Sequence, residues 1–227
     1  MGAGEAVGIL GGSGPAGRGL GLRLAAAGWE VVLGSRSAER GEEAVREALE
    51  SAGGRSLGLR GGTNEAAAAQ PIVVVATPFD GAAATVRALR EPLEGKVVVS
   101  MVNAITRVAG EFQALLPVRG SMAATLQGVL PGSRVSAAFH HLPASSLSAL
   151  DEELDSDVLV CADDPSAAEA TVAMADAIPG LRGIRAGTLA SATAVEGLTA
   201  VLLNVNVRYK AHVALRLAGL AGPAEGR

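Results

Sequence analysis

Residues 11–17 read Gly-Gly-Ser-Gly-Pro-Ala-Gly, and their flanks constrain the chain more than any other feature. Ahead of them Ala6–Leu10 is a short apolar run that stops at glycines, as a buried parallel strand does. Behind them, from Ala16 to Ala27, the apolar residues Leu20, Leu24 and Ala27 recur at helical steps up to Gly28. Strand, glycine loop and helix therefore follow in register, and Gly12, Gly14 and Gly17 fit the spacing G-x-G-x-x-G. In that setting Gly12 permits a tight turn and Gly14 lets a pyrophosphate approach the backbone. Gly17 lets helix and strand pack closely. The helix opening at Pro15 and Ala16 offers unpaired N–H groups and a positive dipole end to phosphates. A bland glycine-rich turn, in a chain with 30 glycines, would not need that order of elements.

The alternation continues. Trp29–Leu33 reads as a second strand and Ser37–Ser51 as an amphipathic helix with Ser37 as N-cap. Ser56–Leu59 is a weak strand, Glu65–Ala69 a short helix, Ile72–Ala76 a strong strand, Gly81–Arg90 a helix and Val97–Ser100 a strand. Later, the sequence predicts a helix over Leu115–Gln127 and strands at Arg134–Phe139, Asp157–Cys161 and Leu181–Ala186. A helix capped near Asp164 and one long helix over 189–218 complete the list, with a frayed tail at 222–227. The fold class is α/β: a Rossmann-type doubly wound, mainly parallel sheet with a small C-terminal helical extension.

The second strand selects the cofactor. An NAD site places Asp or Glu about 20 residues beyond the glycine loop, on the ribose 2′-OH. Here the strand ends in Gly34-Ser35-Arg36 with no acid. Ser35 supplies a hydroxyl, Arg36 pairs with a 2′-phosphate, Arg40 closes over it one turn later, and Ser13 adds a second hydroxyl. This is the chemistry of NADP, whose extra phosphate is neutralised by guanidinium. The alternative leaves Arg36 and Arg40 as solvated surface charges. At the carboxyl edge of the sheet, Thr77, Pro78 and Phe79 follow the strong strand, and Val102 and Asn103 follow the next. All five are candidate cofactor contacts, with a plain turn and a buried ring as the other reading.

Composition narrows the rest. Aromatics are 2% of the chain, so the core is built from Val, Leu, Ile and Ala on closely spaced backbones. That disfavours an aromatic-rich β-sandwich or a base-stacking module. The net charge of −4, without a Lys/Arg block, leaves no footprint for nucleic acid. Cys161 stands alone, which excludes an internal disulfide and fits a reducing cytoplasm. The N-terminus has no basic leader region, and the apolar stretch Leu198–Val207 is too short to cross a membrane. No metal-ligand spacing, no Ser/His/Asp spacing and no cysteine pair is present.

Three segments carry a family resemblance: Ile9-Leu-Gly-Gly-Ser-Gly-Pro-Ala-Gly17, Val32-Leu-Gly-Ser-Arg36 and Ala138-Phe-His-His-Leu-Pro-Ala144. With Val160-Cys-Ala-Asp-Asp164 and Val195-Glu-Gly-Leu-Thr199 they follow the order of the NADP-dependent coenzyme F420 reductases, and the chain resembles that family over nearly its whole length. The resemblance implies hydride transfer between the nicotinamide of NADP(H) and the deazaflavin of coenzyme F420. It implies that Ser13, Ser35, Arg36 and Arg40 hold the 2′-phosphate and that Thr77 and Pro78 lie by the nicotinamide. His140, Leu142, Pro143 and Ala144 would then sit where the two rings stack, His140 as an electrostatic partner of the deazaflavin and Leu142 fixing ring separation. It further implies a Rossmann domain over 1–145, a part over 146–227 that completes the deazaflavin cleft, and a homodimer. Two features depart from the family pattern: Thr188-Leu-Ala-Ser-Ala-Thr193 lacks its Pro, Asn and Arg, and position 141 is His.

The long C-terminal helix is apolar on more than one face, through Val195, Leu198, Val201, Leu202, Val205, Val213 and Leu217, and so must be buried, one face on the sheet and the other on a second subunit or under the coenzyme. The expected partners are small-molecule cofactors, with no nucleic acid and no membrane. Two other activities share the fold: reduction of an imine or keto/hydroxy acid, for which only Lys96, Lys210 and Tyr209 offer a Lys/Tyr-type acid, and a non-enzymatic NADP sensor.

Overall fold

The computed structural model describes residues 5–220. The order of elements is β1 (Ala6–Leu10), α1 (Pro15–Ala26), β2 (Glu30–Ser35), α2 (Ala38–Ser51), β3 (Leu59–Thr63), α3 (Asn64–Ala68), β4 (Ile72–Val75), α4 (Phe79–Ala88), α5 (Arg90–Leu93) and β5 (Val97–Ser100). There follow β6 (Ile105–Val108), β7 (Glu111–Ala114), α6 (Met122–Val129), β8 (Arg134–Ala137), α7 (Ala144–Ser148), β9 (Ser156–Ala162), α8 (Pro165–Asp176) and β10 (Leu181–Gly187). A 3-10 turn at Leu189–Ser191 leads into α9 (Ala192–Tyr209).

Eight strands form one sheet in the order β10-β9-β8-β5-β4-β1-β2-β3, all pairs parallel except β8 with β9. From β1 the chain winds outward through β2 and β3, then returns to β4 and winds the other way. The reversal lies between β1 and β4, where an open α/β sheet leaves a ligand crevice at the strand ends. The expected α/β class is thus realised. The strands on both sides of the crevice are short Val/Ile/Leu runs buried on both faces, as parallel strands covered by helices must be. One core layer centres on Trp29, Leu20 and Phe139, the other on Leu10, Leu93 and Leu126.

Several elements differ from their sequence-based expectation. The third strand is Leu-Arg-Gly-Gly-Thr rather than Ser56–Leu59. Its glycines weaken the strand signal but let α2 sit directly on it: a Cβ at Gly61 would lie 2.3 Å from the Glu42 nitrogen. The helix expected from Leu115 begins only at Met122, because Pro117 and Gly120, at φ +87°, hold the chain in a turn. The β6–β7 hairpin was not signalled, since its short polar strands lack an apolar run. The long helix is two pieces and stops at Tyr209, with Lys210 left-handed at φ 50°. The tail 222–227 lies outside the described residues.

Beyond α9 the chain turns back to β9. Asn206 Oδ1 accepts the Val213 N–H at 2.7 Å, and the Asp157 N–H donates to the Leu215 carbonyl at 2.7 Å. The buried Asp157 carboxylate accepts two bonds from Arg182 (2.7 and 2.8 Å), one from Arg216 (2.9 Å) and one from the Leu217 N–H (2.6 Å). These donors, Arg182 foremost, hold the Asp157 carboxyl well below the usual carboxylate range. Its contribution to stability is therefore complete above about pH 4, where the unfolded carboxyl ionises, and is lost as pH falls through the depressed folded value. Asp157→Ala should cost about 3 kcal/mol, since it strands buried donors. Thermal melts at neutral pH check this, and they should also show that the variant loses less stability on acidification than the parent.

The first half of α9 is buried, at Ala192, Val195, Glu196, Thr199 and Ala200, whereas Val201, Val207 and Tyr209 are exposed. Together with its 3-10 turn, Leu189–Tyr209 is longer than the apolar stretch read from sequence, and by length and composition alone it is long and apolar enough to cross a membrane.

Candidate functional site

The glycine loop closes on itself before it meets any ligand. The Gly12 N–H donates to the carbonyls of Gly34 (2.8 Å) and Ile9 (3.1 Å), and the Gly14 N–H donates to the Gly11 carbonyl (2.9 Å). Gly11 carries the left-handed turn at φ 72°. Gly12 lies behind the loop, where a Cβ would sit 2.9 Å from Leu33 Cα. A Cβ at Gly17 would lie 2.9 Å from the Ala76 Cβ, so the first turn of α1 closely approaches the residue that follows β4. Gly12→Ala should lose about 1–3 kcal/mol through overpacking and weaken NADPH binding with it; thermal melts with and without NADPH check both effects.

At the crevice lies a cleft of about 950 Å³. Of the residues expected to contact a cofactor, Ser13, Gly14, Pro15, Ala16, Ser35, Arg36, Arg40, Thr77, Pro78, Phe79, Val102 and Asn103 line it. Gly12 does not, although it shapes the loop. The Ser13 and Ser35 hydroxyls lie 3.1 Å apart. Arg36 and Arg40 are exposed at the end of β2 and the start of α2, with neither guanidinium paired to a carboxylate among the described residues. Ser37 caps α2, accepting the Arg40 N–H, and so sets where Arg40 emerges.

A second cleft of about 320 Å³ adjoins the first at Asn103 and is lined by His140, Leu142, Pro143 and Ala144 together with Thr199, Leu202, Leu203 and Asn206 of α9. The turn that presents His140 is strained: Phe139, buried, is left-handed at φ 65°. Asn103 Nδ2 donates to the His140 carbonyl at 2.8 Å and ties the two clefts together. Burial, then the neighbouring His141, pushes the His140 imidazole down to about 3, so it is neutral at physiological pH. His141 also lines this cleft, with its Nε2 3.1 Å from the Ser156 hydroxyl, and burial lowers it too.

Among the described residues, the buried side-chain polar atoms without a hydrogen-bond partner are Thr77 Oγ1, Asn103 Oδ1, both ring nitrogens of His140 and Thr199 Oγ1. All belong to residues lining one cleft or the other. Buried polar groups are otherwise satisfied in folded proteins, so this concentration fits a site completed by two ligands. Sequence reasoning missed Gly11, Asn64 and Thr199. Asn64 lines the first cleft and its Oδ1 accepts the Gly11 N–H at 3.1 Å, a contact between residues 53 apart with no local signal. Thr199, Leu202, Leu203 and Asn206 share one helical face, and that spacing was readable. The Lys/Tyr-type acids line neither cleft: Lys96 Nζ donates to the Ala68 carbonyl at 2.6 Å, and Tyr209 and Lys210 are exposed. Among the described residues no three His, Cys, Asp or Glu side chains are grouped for a metal.

A glycine turn and helix N-terminus at the switch point of a parallel sheet, with guanidinium groups at the second strand, define a dinucleotide-binding Rossmann-type protein. Residues 6–104 match the family model of F420-dependent NADP oxidoreductases. The F420-dependent NADP reductase of Methanocaldococcus jannaschii is 35% identical over 211 residues, covering 90% of this chain and 93% of the relative. That of Methanothermobacter thermautotrophicus is 35% identical over 209 residues, covering 90% of each. The chain belongs to the F420-dependent NADP reductase family. In fold it is similar to a candidate F420-dependent NADP reductase from Arthrobacter sp. FB24 (TM-score 0.78, 22% identity, 94% of this chain and 99% of that one). It is also similar to an NADP-bound pyrroline carboxylate reductase of Plasmodium falciparum (TM-score 0.55, 13% identity, 92% of this chain and 68% of that one).

Proposed function

We propose that the protein transfers a hydride between the nicotinamide of NADP(H) and the deazaflavin ring of coenzyme F420. The observation that carries this reading is the junction of two clefts at Asn103, one walled by the glycine loop and Arg36, the other by His140–Ala144. The two carriers supply the redox chemistry, so the chain needs to bind, orient and exclude water rather than to furnish a nucleophile. The α1 N-terminus faces the pyrophosphate, and Ser13, Ser35, Arg36 and Arg40 hold the 2′-phosphate. Thr77, Pro78, Phe79, Val102 and Asn103 line the nicotinamide end. Leu142, Pro143 and Ala144 pack where the rings meet, and the neutral His140 is an electrostatic partner of the deazaflavin. Residues 1–145 form the NADP-binding part and 146–227 the part that completes the deazaflavin side.

The family relatives support the substrate pair; among the described residues no lysine or tyrosine lines either cleft, and Asp80 is the one acid of the rival reductases' type that lines the first. Mixing protein, NADPH and oxidised F420 tests the reading: loss of the deazaflavin's visible absorbance is the expected result. Binding of NADPH without turnover would favour a sensor instead. The exposed apolar side chains of α9 and of the segment 115–118 support a homodimer. Sedimentation at micromolar concentration should give twice the chain mass. A cytoplasmic enzyme with small-molecule partners, and without nucleic-acid or membrane partners, is the setting this reading requires.

A further inference from the structure

Glu196 has no part in the hydride transfer as described, yet it is a carboxylate 6% exposed on α9. Its Oε2 accepts the Met122 N–H at 2.7 Å and its Oε1 the Ala123 N–H at 3.0 Å. These are the first residues of the eight-residue helix α6, whose N-cap Ser121 accepts the Ala124 N–H at 3.0 Å. The helix end therefore stabilises the charge and fixes both oxygens in place. Burial raises the Glu196 carboxyl above its ordinary range, while the two backbone donors oppose that rise.

Held in this way, Oε1 lies 4.0 Å from His140 Nε2. That is beyond a hydrogen bond but near enough for an anionic oxygen to orient a buried imidazole. The His140 ring has no other polar anchor: neither nitrogen has a hydrogen-bond partner among the described residues. A neutral imidazole has one N–H and one lone pair, and which nitrogen carries the proton is set by what faces the other end. A fixed carboxylate attracts the N–H and repels the lone pair. We propose that Glu196 is a positioning residue that keeps His140 in the Nε2–H tautomer, leaving Nδ1 on the other edge of the ring as its hydrogen-bond acceptor.

The consequence for turnover rests on the F420 reading; the tautomer does not. The chain has three histidines, so nitrogen-15 labelling with two-bond proton–nitrogen correlations resolves each ring, and His140→Gln assigns the His140 signals. With NADPH alone bound, His140 should show a protonated Nε2 and a bare Nδ1. In Glu196→Gln that pattern should give way to the other tautomer or to a mixture. The same variant should lose about 10- to 100-fold in kcat/KM for the deazaflavin, the usual cost of removing a group that orients a functional histidine, with the Kd for NADPH within about twofold of the parent. A protonated Nδ1 in the parent protein overturns the proposal whether or not the variant folds. So does an unchanged spectrum, or unchanged deazaflavin kinetics, in a folded Glu196→Gln. Failure of the parent to turn over F420 would instead count against the functional reading, with the spectrum still deciding the role of Glu196.

Discussion

Replacing Arg36 with Ala should weaken NADPH binding by about 30- to 150-fold while leaving NADH binding within about twofold. The magnitude is that of hydrogen bonds to a charged group, about 2–3 kcal/mol, at about 1.4 kcal/mol per tenfold. The discrimination follows from position. Arg36 stands at the end of β2 where an NAD-binding chain carries its ribose-binding acid, and among the described residues no carboxylate competes for its guanidinium. Arg40 sits nearby on α2, so the double variant should lose more than Arg36→Ala alone, yet less than the sum of the single losses, because both contact one phosphate. Titration of each nucleotide, followed by protein or nucleotide fluorescence, measures both constants. Equal weakening of NADPH and NADH would contradict the assignment of the 2′-phosphate to this corner.

His140→Ala should lower kcat/KM for the deazaflavin by about 100-fold, the scale of losing one preorganised hydrogen bond to a reacting group in a dry site. The Kd for NADPH should stay within about twofold, since His140 lines the second cleft and not the first. The burial that holds this imidazole near 3 predicts that the parent's rate shows no inflection from His140 between pH 5 and 8. An unchanged turnover rate and unchanged deazaflavin Kd in the variant would remove His140 from the site.

The nucleotide half of the molecule is the more legible in sequence, for physical reasons. Its β4 and β5 strands are Val/Ile runs, its turns are marked by glycine, and Ser37 caps the next helix where expected. Local chemistry settles each of these. The second cleft depends instead on contacts between distant residues. Glu196 reaches across 74 positions to the Met122 nitrogen, Asn204 bonds Phe112 across 92, and Asp157 meets Leu217 across 60. The last contact turns the chain back after Tyr209, where periodicity alone carries the helix on to residue 218. Gly61 and Gly41 show the opposite failure: Gly61 lies outside the strand expected at Ser56–Leu59 and Gly41 inside an expected helix, yet they are where α2 and β3 approach most closely.

The central claim is direct transfer between two carriers held in adjoining clefts. NADPH deuterated at the transferring position of the nicotinamide, mixed with protein and oxidised F420 in ordinary water, tests it most directly. The deuterium is expected in the reduced deazaflavin, without dilution by solvent hydrogen, as fast as NADPH is consumed. Reduced deazaflavin carrying only solvent hydrogen, or NADPH oxidised with no label transferred, would contradict it.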